Sequence, residues 1–409
     1  MLRAKEFKSR SNIRQMLTKF SSLTVGELLL FVFIFNVVFI PNDTLDLKII
    51  SLLILLTISI PQIINVRTKD EKIVVFFGLF LTAFTILWSI FLTRNIIVNI
   101  SMGYPGFILL LYLYIKRKKV NFGKILISTL TAMAYFVVFI ALLDILKIYE
   151  LTTNPLIMWF AETSNAMVGK GPDLPIYYMI FMKTSPLMFL SLIYCLQSHK
   201  YISSIITAIA LILSGTRADI IMVIGTIFIY ACFLQKNRDA RKFSILFSIF
   251  ILLVVVIDGR VIDAFIDIFT RKAGSDAVRT GHLDGMIAFW KENPIKIFTG
   301  AGYSSQFYSF GTNSYLSSVE LSYWNLLRQL GIILFAVMMV MYLYPALKLL
   351  RARKCYSQVL AYCVYLIIAY TNPLLYSSTG MIIMLYMYWL CLDQNIWSKR
   401  KDLRRNDQL

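Results

Sequence analysis

Apolar runs of about 20 residues, the length a helix needs to cross a bilayer core, recur along this chain from its first fifty residues to its last thirty. That recurrence limits the fold more than any motif does. Of the 409 residues 58% are hydrophobic, and the mean hydropathy is +0.70, against roughly 45–50% apolar residues in soluble domains. The chain therefore reads as all-α, a polytopic helical membrane protein. The first run follows a long basic arm and has no small-residue cleavage site, so it is expected to stay in place as a span.

Basic clusters separate the runs. They are MLRAKEFKSR at the start, VRTKDEK (66–72), KRKK (116–119), QKNRDARK (235–242), RARK (351–354) and SKRKDLRR (398–405). Placing these clusters in the cytoplasm predicts about twelve spans. They cover 24–41, 47–64, 73–93, 96–115, 125–146, 177–197, 201–215, 218–234, 243–258, 320–347, 357–374 and 378–396. A basic arm, 1–23, and a basic tail, 397–409, are then both inside, and about 28 of the 41 Lys and Arg lie on that side. The net charge of +19 is thereby a topology signal, and no nucleic-acid partner is expected. Cys195, Cys232, Cys355, Cys363 and Cys391 fall in spans or on the cytoplasmic side, so no disulfide is expected.

Two external segments are longer than a turn needs, 147–176 and 259–319. The second balances six basic residues (Arg260, Arg271, Lys272, Arg279, Lys291, Lys296) with six acids (Asp258, Asp263, Asp267, Asp276, Asp284, Glu292). Its stretch GHLDGMIAFWKENP predicts an amphipathic helix. Leu283, Ile287 and Trp290 recur at helical spacing, and Pro294 stops it. FTGAGYSSQF follows as a glycine turn, and SSVELSYWNLLRQLGIILF returns the chain to the membrane. No internal repeat of the kind common in transporters is evident.

The charges near the outer face are the candidate chemistry. In LILSGTRADIIMVIGT (211–226) two short helices meet at Ser214-Gly215-Thr216-Arg217. Gly215 permits the reversal, and Arg217 opens the returning helix, whose amides add partial positive charge. Arg217 is then either part of an anion site or a side chain snorkelling to headgroups. Arg279 in the large loop is either a second cation of that site or a solvated surface charge. Glu320 sits where the chain re-enters an apolar helix, with Tyr323 and Trp324 one turn on. It is a candidate general base or else an acid favouring the helix dipole. Arg328, two turns further in, either lines the same cavity or pairs with an intramembrane acid such as Asp144. Only two histidines occur, His199 and His282, and no Cys/His cluster has metal-ligand spacing. No GxxxxGK[ST] loop, DxD or Ser/His/Asp arrangement stands out, and no metal or cofactor is expected.

Three stretches resemble the O-antigen polymerase and O-antigen ligase superfamily of bacterial envelope glycan assembly. SGTRADI is similar to its Ser-Arg-Gly element. RTGHLDGMIAFWKENPIKIFTGAGYSSQF resembles its Arg, Trp-helix, Pro, Gly-x-Gly pattern in the large periplasmic loop. ELSYWNLLRQLGIILF resembles the re-entry where members read His-Asn, then an apolar run, then Gly-Leu or Gly-Ile. Together these cover roughly 200–345. The ligases carry His at the re-entry, whereas this chain has Glu320, a departure that favours a polymerase. The resemblance implies a bacterial cytoplasmic-membrane glycosyltransferase for O-antigen, capsule or exopolysaccharide. It would join polyprenyl-diphosphate-linked oligosaccharide repeat units at the outer leaflet, without metal. Glu320, Arg217 and Arg279 are then the expected catalytic residues. Arg217, Arg279, Arg328, Tyr323 and His282 are the expected substrate contacts, and aromatic- and Met-rich spans would hold the prenyl chains. Membrane lipids, a flippase and a chain-length regulator are the expected partners. An O-antigen ligase and a lipid-linked oligosaccharide flippase are the alternatives.

Overall fold

The structure, a computed structural model, describes residues 24–170, 178–235 and 273–392 with scattered positions between 238 and 249. The expected span 243–258 and the loop start 259–272 fall largely outside the described residues, as do both basic termini. Helix α1 (Val25–Phe39) starts at a capping box: the Thr24 hydroxyl accepts the Glu27 amide, and the Glu27 carboxylate accepts the Thr24 amide. A short turn leads to α2 (Leu47–Ile64), whose first amides are taken by Asp43: its two oxygens accept from Lys48 and Ile49. Then come α3 (Lys69–Thr93), α4 (Ile96–Lys118) and α5 (Phe122–Ile145). A π-helical stretch, Phe76–Leu81, interrupts α3, and a 3₁₀ stretch at Pro105 interrupts α4.

After α6 (Pro155–Glu162), strand β1 (Ala166–Lys170) pairs antiparallel with β2 (Tyr178–Met182). The span expected at 177–197 is corrected here. Residues 178–182 are a strand, and only α7 (Ser185–Gln197) is helical. The segment YMIFM is apolar throughout, and a short apolar run does not tell strand from helix. Helices α8 (Tyr201–Leu213) and α9 (Arg217–Leu234) follow. Further along lie α10 (Ala273–Glu292), a single helical turn Lys296–Thr299, and a second hairpin, β3 (Phe307–Ser309) with β4 (Ser314–Leu316). The chain then runs through α11 (Ser322–Arg351), α12 (Tyr356–Ile368) and α13 (Ser378–Leu392). The fold is thus mainly helical, with two small hairpins that an all-α reading omits.

Among the described residues, six helices are long and apolar enough to cross a membrane: α2, α3, α4, α5, α9 and α11. Five shorter apolar helices accompany them. Only 28% of α2 is buried, and its outward face carries Leu53, Ile54 and Ile60. A continuous apolar face of that kind is stable in lipid and not in water. At the other extreme is α13, buried at every residue but Cys391. A helix apolar all round belongs inside, and α13 packs against α1, α4, α5, α11 and α12.

The ends of α3 orient the molecule. At its start, Asp70 pairs with Lys348 at 2.9 Å, and Glu71 pairs with Lys116 at 2.9 Å. The basic clusters 66–72 and 116–119 and the end of α11 therefore gather at one end of the bundle. At the other end of α3, Trp88 Nε1 donates to the Thr299 carbonyl at 2.7 Å, and Ser304 Oγ donates to Thr93 Oγ1 at 2.8 Å. At 1.5 Å rise per residue the two ends are about 35 Å apart. The segment 273–321 forms a cap on this far end.

The cap has its own small core of Met286, Phe307, Val319 and Leu321, with Leu283, Trp290 and Trp324 against it. Helix α10 begins eight residues before the expected GHLDGMIAFWKENP stretch. Its apolar face uses Met286, while Ile287 is exposed. The hairpin lies directly on α10 because Gly281 and Gly285 present no side chain. A Cβ there would sit 2.3 Å from the Gly311 nitrogen and 2.2 Å from the Tyr308 carbonyl oxygen.

One junction fixes the cap to the bundle. Gly331 breaks α11 with φ +72° and ψ 167°, a left-handed region that favours glycine. The break frees the carbonyls of Arg328 and Gln329. They accept the amides of Ala301 (3.0 Å) and Gly302 (2.8 Å) respectively, so the glycine turn after α10 fills the gap.

Candidate functional site

Where α8 reverses into α9, Gly215 adopts φ +64°, and Thr216 caps α9 by accepting the Asp219 amide at 3.2 Å. Ser214 Oγ donates to the buried Asp219 carboxylate at 2.9 Å. The amides expected to reinforce an anion site here are thus met in part by side chains of the turn itself. Arg217 is the first residue of α9 and points to the cap, where its Nη2 lies 2.7 Å from Asp276 Oδ1.

Asp276 and Arg279 stand three residues apart on α10, a spacing that places them on one face. Arg279 Nη1 donates to the same Asp276 oxygen at 3.2 Å. On its other side, Nη2 and Nε donate to Glu320 Oε2 at 3.0 and 3.3 Å. Residues 217, 279 and 320, far apart in the chain, are therefore joined in one alternating row: Arg217, Asp276, Arg279, Glu320. The arginine side chains are 20% and 25% exposed, and the carboxylates 53% and 49%. The row is thus open to solvent, and each pair is a weak, exchangeable contact. The hydrogen bond from Arg217 is the main influence holding the Asp276 carboxyl below its usual range. Slight burial opposes it, and the charge of Arg279 adds to it.

Beside the row is a cleft of about 430 Å³, a volume within the range of small-molecule sites. Glu320, His282, Thr312 and Ser318 line it together with Leu316 and Val319. His282 is buried, with Nδ1 2.6 Å from Ser309 Oγ. Burial pushes its pKa down, the Glu320 charge pushes it up, and Arg279 adds to the lowering.

Two expected site residues sit elsewhere. Tyr323 donates its hydroxyl to the Leu366 carbonyl at 2.9 Å and lies against Tyr370, so it joins α11 to α12. Arg328 is fully buried and, among the described residues, pairs with no acid. Nη1 donates to the Ser305 carbonyl (3.0 Å) and hydroxyl (2.6 Å). Nη2 donates to the Ser317 carbonyl (2.7 Å) and to Asn325 Oδ1 (3.0 Å). The guanidinium also stacks 4.9 Å above the Phe307 ring. Pairing with Asp144 is excluded, because Asp144 turns to the following loop, where Oδ1 accepts the Leu151 amide at 2.8 Å. The acid that sequence reasoning passed over is Asp276. Its signal was present in the i, i+3 spacing from Arg279, yet in a loop of balanced charge it read as solvated.

The fold and site define a class: a helical membrane protein carrying an ion-pair row and a cleft under a folded cap at one end of the bundle. No family model, curated protein or solved structure matches this chain.

Proposed function

We propose that the chain is a glycan polymerase of the bacterial cytoplasmic membrane. It would span the membrane about twelve times with both termini inside, and join polyprenyl-diphosphate-linked oligosaccharide repeat units at the outer leaflet. The observation that carries this reading is the convergence of Arg217, Arg279 and Glu320 beside a cleft, at the end of α3 away from the basic clusters. The resemblance of SGTRADI, the α10 stretch and the re-entry to the O-antigen polymerase and ligase superfamily supplies the reaction.

In this reading the donor's diphosphate takes over the guanidiniums of Arg217 and Arg279, displacing Asp276 and Glu320. Phosphate oxygens match the arginine fork, and charge-assisted contacts to them are strong. Glu320, released from Arg279, becomes the acceptor for a proton. A hydroxyl of the incoming repeat unit attacks the donor's anomeric carbon. The bond from that carbon to the diphosphate oxygen breaks, and its electron pair leaves with the lipid diphosphate. The hydroxyl proton passes to Glu320. Charge growing on the leaving group is stabilised by the two arginines. A resting row that binds its own carboxylates keeps the cations in place until substrate competes for them.

The test is the glycan ladder of a deletion strain complemented with variants. Arg217→Ala, Arg279→Ala and Glu320→Gln each leave single repeat units where the parent makes long chains, with the protein still inserted. A flippase would instead retain single units inside the cell, and a ligase would leave polymer made but unattached. Normal ladders from all three variants reject the reading.

A further inference from the structure

A second cavity, of about 250 Å³, lies next to the cleft and shares Ser318, Val319 and Pro373 with it. Its other walls come from the α1–α2 turn, the first turn of α2, the first half of α4, the cap loop, α11 and the α12–α13 turn. They include Lys48, Tyr104, Tyr303, Ser322, Asn325 and Tyr376. This is hydroxyl, amide and aromatic chemistry with one cation, set in a volume smaller than the roughly 300–1,000 Å³ of drug-sized sites.

One group in it is incompletely matched. Lys48 is 4% exposed, yet its only acceptor among the described residues is the Pro41 carbonyl. An ammonium carries three donors, and a buried charge is ordinarily paired. The nearby Asp43 carboxylate accepts the Lys48 and Ile49 amides at 2.7 and 3.0 Å, and its charge acts on the ammonium without a hydrogen bond to it. Tyr303 stacks on Tyr376 with ring centres 5.7 Å apart, and its hydroxyl is enclosed beside Thr85 and Tyr376 rather than open to the cavity.

We infer that this cavity binds one sugar unit of the glycan, and that the unit carries an acid group whose charge is met by Lys48. The Asn325 amide nitrogen and the Ser318 hydroxyl, 3.5 Å apart in the cavity wall, take its hydroxyls. The inference rests on the polymerase reading and adds the substrate class: a repeat unit containing an acidic sugar, seated beside Glu320.

The full chain in lipid nanodiscs is titrated with glucuronate, glucose and inorganic phosphate, and binding is followed by saturation-transfer NMR. Glucuronate binds at least about tenfold more tightly than glucose, the worth of one charge-assisted hydrogen bond, and more tightly than phosphate. Lys48→Gln removes the preference over glucose, and Lys48→Arg retains it. Equal binding of glucuronate and glucose overturns the inference, as does phosphate binding as tightly as glucuronate. So does an unchanged preference in folded Lys48→Gln. If Arg279→Ala abolishes long chains while glucuronate shows no preference, this inference falls and the polymerase reading stands.

Discussion

Arg328 and the Arg217–Arg279 pair lie under the same cap, and the contrast between them separates structure from function. Arg328 is buried, and its four hydrogen bonds go to backbone carbonyls, a serine and an asparagine, none of which a ligand can replace without opening the protein. Arg217 and Arg279 are part-exposed and paired with half-exposed carboxylates. Partners of that kind exchange at little cost. A cation that holds the cap down bonds to fixed groups, whereas one proposed to receive an anion is held by groups that can leave.

Three substitutions sharpen this contrast. Arg328→Ala should have the largest effect on stability. It strands the Ser305 carbonyl, leaves the Ser317 carbonyl to Gln329 alone and empties the space over Phe307. A loss of about 3–5 kcal/mol is expected, as when one partner of a buried charged network is removed. The check is thermal unfolding in detergent, alongside protease sensitivity of residues 273–321. Stability equal to the parent would move Arg328 out of the structural class.

Gly331→Ala comes next. Its φ of +72° strains any other residue, and the added Cβ would meet the Phe298 carbonyl oxygen at 2.3 Å. A cost of about 1–3 kcal/mol is expected, read in the same unfolding experiment. Arg279→Ala is the smallest, at about 1 kcal/mol or less for exposed pairs, and under the proposed function it is the one expected to remove long glycan chains. A large loss of stability there would erase the contrast.

A pH measurement separates the two regions again. Burial lowers the His282 pKa, so the folded cap favours neutral imidazole. The unfolded chain binds the proton first as pH falls below the ordinary value of about 6.5. The stability contributed by His282 is therefore complete above that pH and declines below it. Asp276, lowered by Arg217, acts in a more acidic window. Its contribution is complete above the ordinary carboxylate range and is lost as pH falls through the depressed value. Unfolding scans of His282→Gln should lose the first dependence and keep the second.

Much of this was legible in the residues. An arginine and an aspartate inside an apolar run required a turn at Ser214–Arg217, because neither sits stably in lipid, and Gly215 marked the reversal. Glu320 stood out by its place at the border of an apolar helix. Other features left no such trace. Arg328 resembles any intramembrane cation in sequence, since the carbonyls that satisfy it belong to residues whose side chains say nothing about them. The YMIFM strand has the composition of a span. Lys48 is one lysine inside the expected span 47–64, and only the cavity formed by distant turns gives it a partner to seek.

The central claim is that the exposed arginines are anion receivers, and it is tested most directly by measuring polyprenyl diphosphate binding to the purified protein in nanodiscs. Arg217→Ala and Arg279→Ala should each weaken binding about tenfold or more, the loss of a charge-assisted contact, with unfolding temperatures near the parent's. Parental affinity in both variants would contradict the account.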